Sequence, residues 1–492
     1  MAYTLNRLLF LCTLLFSVCL VFLKGESKYV KEVNTRLVIN TSRIVATVDI
    51  HHFLILRTRN CKCSRRPGTI HDQNWRNTAG SDGIRCWGSS FKVSVAFGLN
   101  ALYGRSKSTS QYEVVNPWDP RNAENFIRYT RERAYPVIAW GLGNELLSSG
   151  IGKTVSPELY AADVKNLRNI IDKFYDDSKP SVVAPDSFYE KGRKDIPRFL
   201  EASGQGVVDV VTRHIYNLGP GVTETNELIR NVLSRSYAEN EVVNYESLRS
   251  DLKEHPKTTI WIGEAGGAYN SGHHEVTDAF IFAFWYLDQL GTASRYNNQA
   301  FCRELCWRLL WPRRFRLQPE SGLLWLMGRE VFVVDIHDET NDVRAYAHCQ
   351  KNNKDGVTLL LLNYSNSTRH QLDLSLLGYS PDSLPRNFTK LIMKKKYQKD
   401  EYITSSEPSS GNVRLEYHMS AADGTMTGRI VLLNGQPLLV TPSGKIPTLS
   451  LVMANLTSPV SLAPFTYAYV VIPNANAPAC AAYESSRRRM TT

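Results

Sequence analysis

Two glutamates each stand at the end of a short apolar stretch. Pro136–Glu145 reads PVIAWGLGNE, and Thr258–Gly272 reads TTIWIGEAGGAYNSG. The β-branched and aromatic residues before Glu145 and Glu264 favour short buried strands, because the runs are too short for core helices. Carboxylates at the C-terminal ends of parallel strands occupy the place where α/β barrels carry their catalytic groups. A single glutamate there could equally cap a surface turn, so it is the repetition of the pattern that points to chemistry.

Two carboxyl groups held close together suit the hydrolysis of a glycosidic bond. One carboxyl must be protonated to donate to the glycosidic oxygen, and the other must be ionised to attack the anomeric carbon. In enzymes that retain the anomeric configuration, the two carboxyls lie about 5–5.5 Å apart. Two strands of one barrel can set that separation, so the pair predicts a retaining two-carboxylate hydrolase.

Several longer motifs resemble those of one family. They are FGLNALYGR at 97–105, GNEL at 143–146, HIYNLGPG at 214–221, GEAGGAYNSG at 263–272, FWYLDQLG at 284–291, LLNGQPL at 432–438 and APAC at 477–480. Over residues 91–300 and 343–480 the chain resembles the plant heparanase-like proteins, the endo- and exo-β-glucuronidases of glycoside hydrolase family 79. The resemblance implies that Glu145 is the acid/base and Glu264 the nucleophile. It also implies substrates with β-linked glucuronic acid, either glycans of proteoglycans or small glucuronides.

Five further residues are candidates for binding the sugar. Asn144 precedes Glu145, while His214 and Tyr216 share one face of a predicted strand because side chains alternate along a strand. His214 and Tyr216 could hydrogen-bond a sugar or orient the nucleophile, although a capping histidine and a core tyrosine would give the same pattern. In the glycine-rich loop, Tyr269 and Asn270 are candidates for contacting a substrate carboxylate, or they could simply form the turn.

Two segments and two single residues depart from the family pattern. Residues 51–92 are basic and aperiodic and lack the TLDWWP and LRIRxGGS motifs that relatives carry in their first two barrel strands. Residues 301–328 are rich in Trp and Arg and lack the tyrosine of the relatives' sugar pocket. Arg213 and Gly141 replace a histidine and a glutamate of the relatives.

The two altered segments leave a second interpretation open. The first could be a polyanion-binding loop and the second an aromatic, cationic glycan platform. Both could equally reflect a defective gene model. A barrel without a strand leaves unpaired edges and an open core. The alternative to an active enzyme is therefore a catalytically impaired, glycan-binding remnant of the same family.

Alternating strands and helices predict an α/β fold, a (β/α)8 TIM-type barrel over residues 25–325. The predicted barrel strands are 44–50, 93–100, 137–145, 182–187, 207–216, 258–264 and 294–302, with helices at 121–134, 156–177 and 276–290. Whether strands 1 and 2 are complete stays open because of segment 51–92. Short strands separated by Asn, Ser, Gly and Pro predict a C-terminal antiparallel β-sandwich domain over 326–480. These strands are 343–349, 357–363, 371–376, 430–433, 438–440 and 468–472.

The N-terminal residues and the sequons predict a secreted glycoprotein. Arg7 precedes the apolar run Leu8–Leu23, which favours a signal peptide over residues 1–24 because the run is short for a membrane span. The N-x-S/T sequons lie at Asn40, Asn363, Asn366, Asn387 and Asn455. We expect an extracellular, cell-wall location, with the lysosome, the vacuole or a membrane-associated state as alternatives. Residues 481–492 are predicted to form a tail.

The net charge and the cysteine spacing indicate which substrates, partners and metals to expect. The formal charge of +11 favours an acidic polysaccharide or glucuronide, and no basic helix with interleaved aromatics indicates nucleic acid. We expect a monomer, for which peripheral membrane association stays open. Cys61/Cys63 and Cys302/Cys306 lack a histidine pair with zinc-finger spacing, so no metal and no cofactor is expected. The family resemblance implies a disulfide between Cys349 and Cys480.

Overall fold

The computed structural model describes residues 30–48, 95–103, 105, 112–148, 152–303, 323–353, 355–377, 413–439 and 449–481. The predicted signal peptide, segment 51–92, most of segment 301–328, the sequon at Asn387 and residues 482–492 of the tail lie outside the described residues. The described elements are sufficient to place both glutamates.

The strands are numbered in chain order. They are β1 (Lys31–Thr47), β2 (Val95–Leu99), β3 (Glu113–Val114), β4 (Val137–Leu142), β5 (Thr154–Val155), β6 (Ser181–Phe188), β7 (Val210–Ile215), β8 (Gly219–Pro220), β9 (Thr259–Ala265), β10 (Ala268–Tyr269), β11 (Asn298–Arg303), β12 (Met327–His337), β13 (Val343–Gln350), β14 (Val357–Asn363), β15 (Thr368–Leu377), β16 (Val413–Ala421), β17 (Val431–Leu433), β18 (Gln436–Pro437), β19 (Val452–Asn455), β20 (Val460–Leu462) and β21 (Tyr467–Ile472).

The helices connect the strands of the first half of the chain. They are α1 (Arg121–Glu132), α2 (Pro157–Phe174), α3 (Asp195–Ser203), α4 (Thr225–Leu233), α5 (Arg235–Asp251) and α6 (Phe282–Arg295), with a short 3-10 turn at Leu324–Leu326. Helix α2 begins as its sequence predicts: the Ser156 side chain accepts a hydrogen bond from the Leu159 backbone N–H at 3.3 Å, and Pro157 occupies the first turn.

Six strands form one parallel sheet, in the order β11-β9-β7-β6-β4-β2. They correspond to the last six predicted barrel strands, from 93–100 to 294–302, and a helix precedes each strand after β2. Spatial order follows chain order because each strand–helix–strand unit returns the chain to a parallel neighbour. The sheet curls into half of a barrel, so the prediction of a parallel α/β architecture is confirmed for this half.

The first predicted barrel strand requires a correction. Residues 44–47 of the predicted strand 44–50 belong to β1, which pairs antiparallel with β12 and parallel with β15. Leu37 and Ile39 of β1 are buried in the core of that second sheet. The apolar residues of β1 therefore serve the other sheet, and residues 44–47 do not form the barrel strand predicted for them.

The second sheet is largely antiparallel and contains eleven strands. Its hydrogen-bonded order is β18-β17-β16-β21-β14-β13-β12-β1-β15-β20, with β19 paired to β16. The predicted strands 343–349, 357–363, 371–376 and 468–472 lie within β13, β14, β15 and β21. The predicted strand 430–433 corresponds to β17, which begins one residue later, at Val431. The predicted strand 438–440 is wrong at 438 and 439, which follow the two-residue strand β18. All these strands belong to one hydrogen-bonded sheet.

Helix α6 lies between the two sheets. It packs on β11 on one side and on β1 and β12 on the other, and residues 282–294 are all buried. Apolar residues occur on more than one side of this helix, as expected for a helix that faces protein on both sides. The helix begins at Phe282, later than the predicted start at residue 276.

Two predicted covalent features fall within the second sheet. Cys349 on β13 and Cys480 after β21 form a disulfide, with a Cα–Cα distance of 5.9 Å. Asn366 and Asn455 are exposed and Asn40 is half-buried. The prediction of a glycan on Asn363 is corrected: this side chain is 0% exposed, and its Nδ2 donates to the carbonyls of Thr368, Leu462 and Ala463. Among the described residues, no helix combines the length and apolarity that a bilayer crossing requires.

Candidate active site

Glu145 stands just beyond the carboxyl end of β4. The chain leaves the strand through Gly143, whose φ is +73° and where a Cβ would lie 2.4 Å from a Leu146 side-chain atom. A glycine is therefore required at this position. Glu145 itself has a φ of +53° and is only 7% exposed. This turn directs a carboxylate from a strand end into the site.

Glu264 lies near the carboxyl end of β9 and is also 7% exposed. The strand continues one residue beyond it, to Ala265. Ligand atoms of Glu145, His214 and Glu264 lie within 4.8 Å of one another. The parallel sheet thus brings together two carboxyl groups that are separated by more than a hundred residues in the sequence.

His214 bridges the carboxylates. Its Nδ1 lies 2.6 Å from Glu145 Oε1 and 3.3 Å from Glu264 Oε2. Its Nε2 lies 2.7 Å from Asp186 Oδ1. The imidazole is buried within strand β7. The sequence predicted that His214 binds a sugar or orients the nucleophile Glu264, and in the structure its closer partner on the Nδ1 side is Glu145.

Tyr216 follows β7 and its hydroxyl donates a hydrogen bond to Glu264 Oε1. The ring of Phe188, at the end of β6, meets the His214 ring edge-on at 5.7 Å between centroids and the Tyr216 ring at 6.4 Å. Phe188 thus packs against both polar rings. The sequence analysis had not singled out Phe188, because an aromatic residue at a strand end resembles an ordinary core residue.

Asp186 is a third buried carboxylate that the sequence analysis missed. It lies in β6 and is 2% exposed, and its Oδ1 also accepts from the Thr212 hydroxyl at 2.8 Å. The signal was available, since Asp186 falls near the end of a predicted strand, as Glu145 and Glu264 do. Applying the strand-end rule to all predicted strands would have found it.

Three predicted sugar-binding residues lie outside this hydrogen-bonded group. Asn144 precedes Glu145, and its Oδ1 is buried without a partner among the described residues. Tyr269 is 42% exposed on β10, which pairs with β8. Asn270 is exposed with a φ of +61°, a conformation that fits the turn role left open for it. None of the hydrogen bonds described links Tyr269 or Asn270 to Glu145 or Glu264.

The two single-residue departures lie away from the reacting groups. Arg213 is buried, pairs with Glu241 and stacks over the Tyr245 ring at 4.8 Å. Because side chains alternate along β7, Arg213 faces the helices while His214 faces the site. Gly141 is buried in β4, where a Cβ would have ordinary contacts of 3.7 Å. None of the contacts described here links Arg213 or Gly141 to Glu145 or Glu264.

Among the described residues, one group has the composition and spacing of a metal site. It consists of Glu145, His214 and Glu264. Their side chains already contact one another, and both ring nitrogens of His214 face carboxylate oxygens. The arrangement is that of two carboxyl groups bridged by a proton-carrying imidazole, which suits acid–base chemistry.

Comparison with known proteins gives the family. Residues 82–291 match the N-terminal domain of glycosyl hydrolase family 79. Heparanase-like protein 3 of Arabidopsis thaliana is 38% identical over 402 residues, which cover 79% of this chain and 72% of that protein. The baicalin-beta-D-glucuronidase of Scutellaria baicalensis is 31% identical over 402 residues, 77% of this chain and 69% of the relative.

A solved structure supports the fold independently. The GH51 arabinofuranosidase from Xanthomonas axonopodis pv. citri superposes with a TM-score of 0.55 at 12% identity, over 89% of this chain and 99% of the other. At this identity the similarity concerns the fold alone, and it is to a barrel-type glycoside hydrolase. The sequence matches show that the chain is a heparanase-like glycoside hydrolase that belongs to family 79.

Proposed function

We propose that the protein is a secreted, retaining β-glucuronidase that cleaves β-linked glucuronic acid from glycans of proteoglycans or from small glucuronides. The observation that carries the proposal is the buried pair Glu145 and Glu264, with oxygens within 4.8 Å of each other. Retaining enzymes hold their two carboxyl groups about 5–5.5 Å apart, whereas inverting enzymes need about 6.5–9.5 Å to admit a water between them.

In the first step Glu145 is the general acid. Its carboxyl proton passes to the glycosidic oxygen as the bond to the leaving group breaks. The ionised Glu264 attacks the anomeric carbon and forms a covalent glycosyl-enzyme. Tyr216 donates to one oxygen of Glu264, so the geometry of the nucleophile is set before the substrate arrives.

In the second step Glu145 acts as the base. The carboxylate, which has lost its proton, accepts one from a water molecule, and the hydroxide attacks the anomeric carbon. The bond to Glu264 breaks, the nucleophile regains its charge, and Glu145 is protonated again. Two displacements at one carbon restore the original β configuration.

Recognition of glucuronic acid is the part of the proposal that rests on relatives and on charge. The Scutellaria relative is named for a β-D-glucuronide, and the formal charge of +11 favours acidic substrates. Within the site, Asn144 is a candidate for binding a sugar hydroxyl, and Tyr269 and Asn270 for contacting the carboxylate. Tyr269, on β10, and Asn270, which follows it, come shortly after β9 and the nucleophile in the chain, which supports this role.

The proposal also covers secretion, the architecture of the two sheets and the oligomeric state. The Cys349–Cys480 disulfide and the sequons at Asn40, Asn366 and Asn455 suit an oxidising, extracellular location such as the cell wall, or the vacuole or lysosome. We propose a monomer, in which the half-barrel belongs to a (β/α)8-type barrel and the eleven-stranded sheet folds as a β-sandwich.

The experiment that tests the function is hydrolysis of a chromogenic β-glucuronide by the secreted protein. Glu145→Gln and Glu264→Gln are compared with Glu254→Gln, a matched control at an exposed position. We expect turnover in the parent and in the control and its loss in both site variants. Folded parent protein without turnover would contradict the hydrolase, and binding of glucuronide oligosaccharides by such a protein would support the glycan-binding remnant.

Two readouts separate the roles of the glutamates. NMR of the first product formed should show the β anomer, and an α anomer would contradict the retaining mechanism. Added azide should restore turnover in alanine variants by replacing either the nucleophile or the base-activated water. Glu264→Ala should then give the α-glycosyl azide and Glu145→Ala the β-glycosyl azide. The reverse assignment would exchange the two roles.

A further inference from the structure

Asp186 is a buried carboxylate for which the two-step reaction has no role. It lies in β6, which pairs directly with β4, and is 2% exposed. Its Oδ1 lies 2.7 Å from His214 Nε2 and accepts from the Thr212 hydroxyl at 2.8 Å. Burying a carboxylate costs free energy unless hydrogen bonds stabilise it. The question is whether Asp186 only joins two strands or acts through His214.

The groups around His214 come from four strands. Asp186 of β6 faces Nε2, while Glu145 beyond β4 and Glu264 of β9 face Nδ1 at 2.6 and 3.3 Å. Tyr216, which follows the strand β7 that carries His214, donates a hydrogen bond from its phenol to Glu264. His214 therefore lies between the acid/base and nucleophile on one side and a single buried carboxylate on the other.

The number of protons that these hydrogen bonds require shows which atoms of His214 carry them. An ionised carboxylate only accepts hydrogen bonds, so the contact between Asp186 and His214 requires a proton on Nε2 when Asp186 is ionised. The short contact between Nδ1 and Glu145 Oε1 then also requires one proton, carried by the nitrogen or by the oxygen. Glu145 thus faces the nitrogen that can share its proton.

We propose that Asp186 is a positioning residue for the acid/base step. It retains a proton on Nε2 of His214 and thereby fixes Nδ1 towards Glu145. One proton is shared between Nδ1 and Glu145 Oε1, and Glu145 delivers that proton to the leaving oxygen. The proposal rests on the proposed role of Glu145 as acid/base. His214 exchanges no proton with the substrate.

The packing of the next strand is consistent with this role. Gly263 immediately precedes the nucleophile, and a Cβ at Gly263 would lie 2.9 Å from Asp186 Oδ1 and 2.7 Å from Thr212 Cβ. Real Cβ atoms do not approach so closely. The glycine therefore leaves the space that Asp186 and Thr212 occupy beside the catalytic strand, and Gly263→Ala should disturb the same contacts from the other side.

The test is the pH profile of kcat/KM for the parent, Asp186→Asn and Thr212→Val. Asparagine keeps the size of the side chain but removes its charge. Without the negative charge the shared proton is held less strongly, so the basic limb should move to lower pH by about one unit or more. We expect kcat to fall by tenfold to a hundredfold, part of the about 10²–10⁴ that acid–base catalysis contributes. Asp186→Glu should restore the position of the limb.

Thr212→Val is the matched control, because it removes the hydrogen bond that Asp186 Oδ1 accepts from the Thr212 hydroxyl and leaves the contact with His214. Its basic limb should stay at the parental pH. If Asp186→Asn leaves the limb in place, or if both variants move it equally, Asp186 only joins the strands and the proposal is overturned. Circular dichroism and thermal unfolding establish that each variant is folded.

A second readout does not depend on turnover. In protein with ¹⁵N-labelled histidine, the His214 resonances are assigned by their loss in His214→Asn. The parent should show a protonated Nε2, and Asp186→Asn should lower the Nε2–H population while Thr212→Val should not. An unchanged spectrum in Asp186→Asn would contradict the proposal. If the protein fails to hydrolyse glucuronides, this spectrum still tests the role of Asp186.

Discussion

The candidate site and the contact between α6 and the second sheet both bury carboxylates, but they stabilise them differently. We call the contact between α6 and the second sheet the junction. There, Asp288 of α6 accepts two hydrogen bonds from the Arg344 guanidinium, at 2.9 and 3.2 Å, and another from the Tyr346 hydroxyl. In the site, three carboxylates surround one histidine. Arginine is charged at every accessible pH, whereas the charge of a histidine depends on its proton.

The difference separates a structural carboxylate from a reactive one. A permanent cation, Arg344, pairs with Asp288 and joins the helix to β13. A histidine leaves the proton of the group exchangeable, which is what a general acid and base requires. The burial of a carboxylate is therefore not itself a sign of function, and the chemical nature of its partner is more informative.

The largest contrast is expected from Glu264→Gln. Activity should fall by at least about 10²–10⁴-fold because the nucleophile is lost. The free energy of unfolding should stay the same or rise, since one of several crowded negative charges is removed. Turnover measurements together with urea unfolding of the parent and variant test both parts. A large loss of stability would indicate that the site resembles the junction.

Asp288→Ala should give the opposite result. It leaves the largely buried guanidinium of Arg344 without its main partner, which typically costs about 3–5 kcal/mol. The activity per folded molecule should be retained, because Asp288 contacts Arg344 and Tyr346 of β13 and has no described contact with Glu145 or Glu264. Urea unfolding measures the loss, and Asp172→Ala, at an exposed ion pair, should change stability by less than about 1 kcal/mol. If Asp288→Ala and Asp172→Ala lowered the free energy of unfolding equally, the buried ion pair of the junction would contribute no more to stability than an exposed one.

The second sheet should also make the protein sensitive to acid. Burial lowers the pKa of His348 on β13 to about 4. Between that value and the ordinary pKa of about 6.5, the unfolded chain binds a proton that the folded protein excludes. Stability is therefore complete above about pH 6.5 and falls as the pH approaches 4, by up to about 3 kcal/mol. Urea unfolding at about pH 7 and about pH 5 should show a smaller difference in His348→Gln than in the parent.

Gly291→Ala should have the smallest of these effects. A Cβ at this position of α6 would lie 2.4 Å from the Tyr346 ring, so the helix or the ring must move. Overpacking of this kind costs about 1–3 kcal/mol. Ala293→Gly, at a buried position of the same helix, controls for helix propensity. A melting temperature of Gly291→Ala at or above that of the parent would show that the junction tolerates added volume.

Local patterns determined much of the architecture. The apolar runs before Glu145 and Glu264 predicted β4 and β9, and Ser156–Pro157 predicted the start of α2. These features depend on residues close in sequence, such as caps and hydrophobic period. The assignment of residues 44–47 to the barrel was wrong for the opposite reason. An apolar strand reads the same whichever sheet it joins, and β1 joins the antiparallel one.

In the site, the sequence by itself determined which residue types stand at the strand ends: Glu145, His214 and Glu264. Only the tertiary structure decided that Asp186 faces the other nitrogen of His214, that Tyr216 donates to Glu264, and that Tyr269 stays exposed. It also decided that Asn363 is buried in β14, although its sequon is intact. The reason is physical. Strand alternation fixes which side a residue faces, but hydrogen-bond partners are set by which strands become neighbours, and that is a property of the whole sheet.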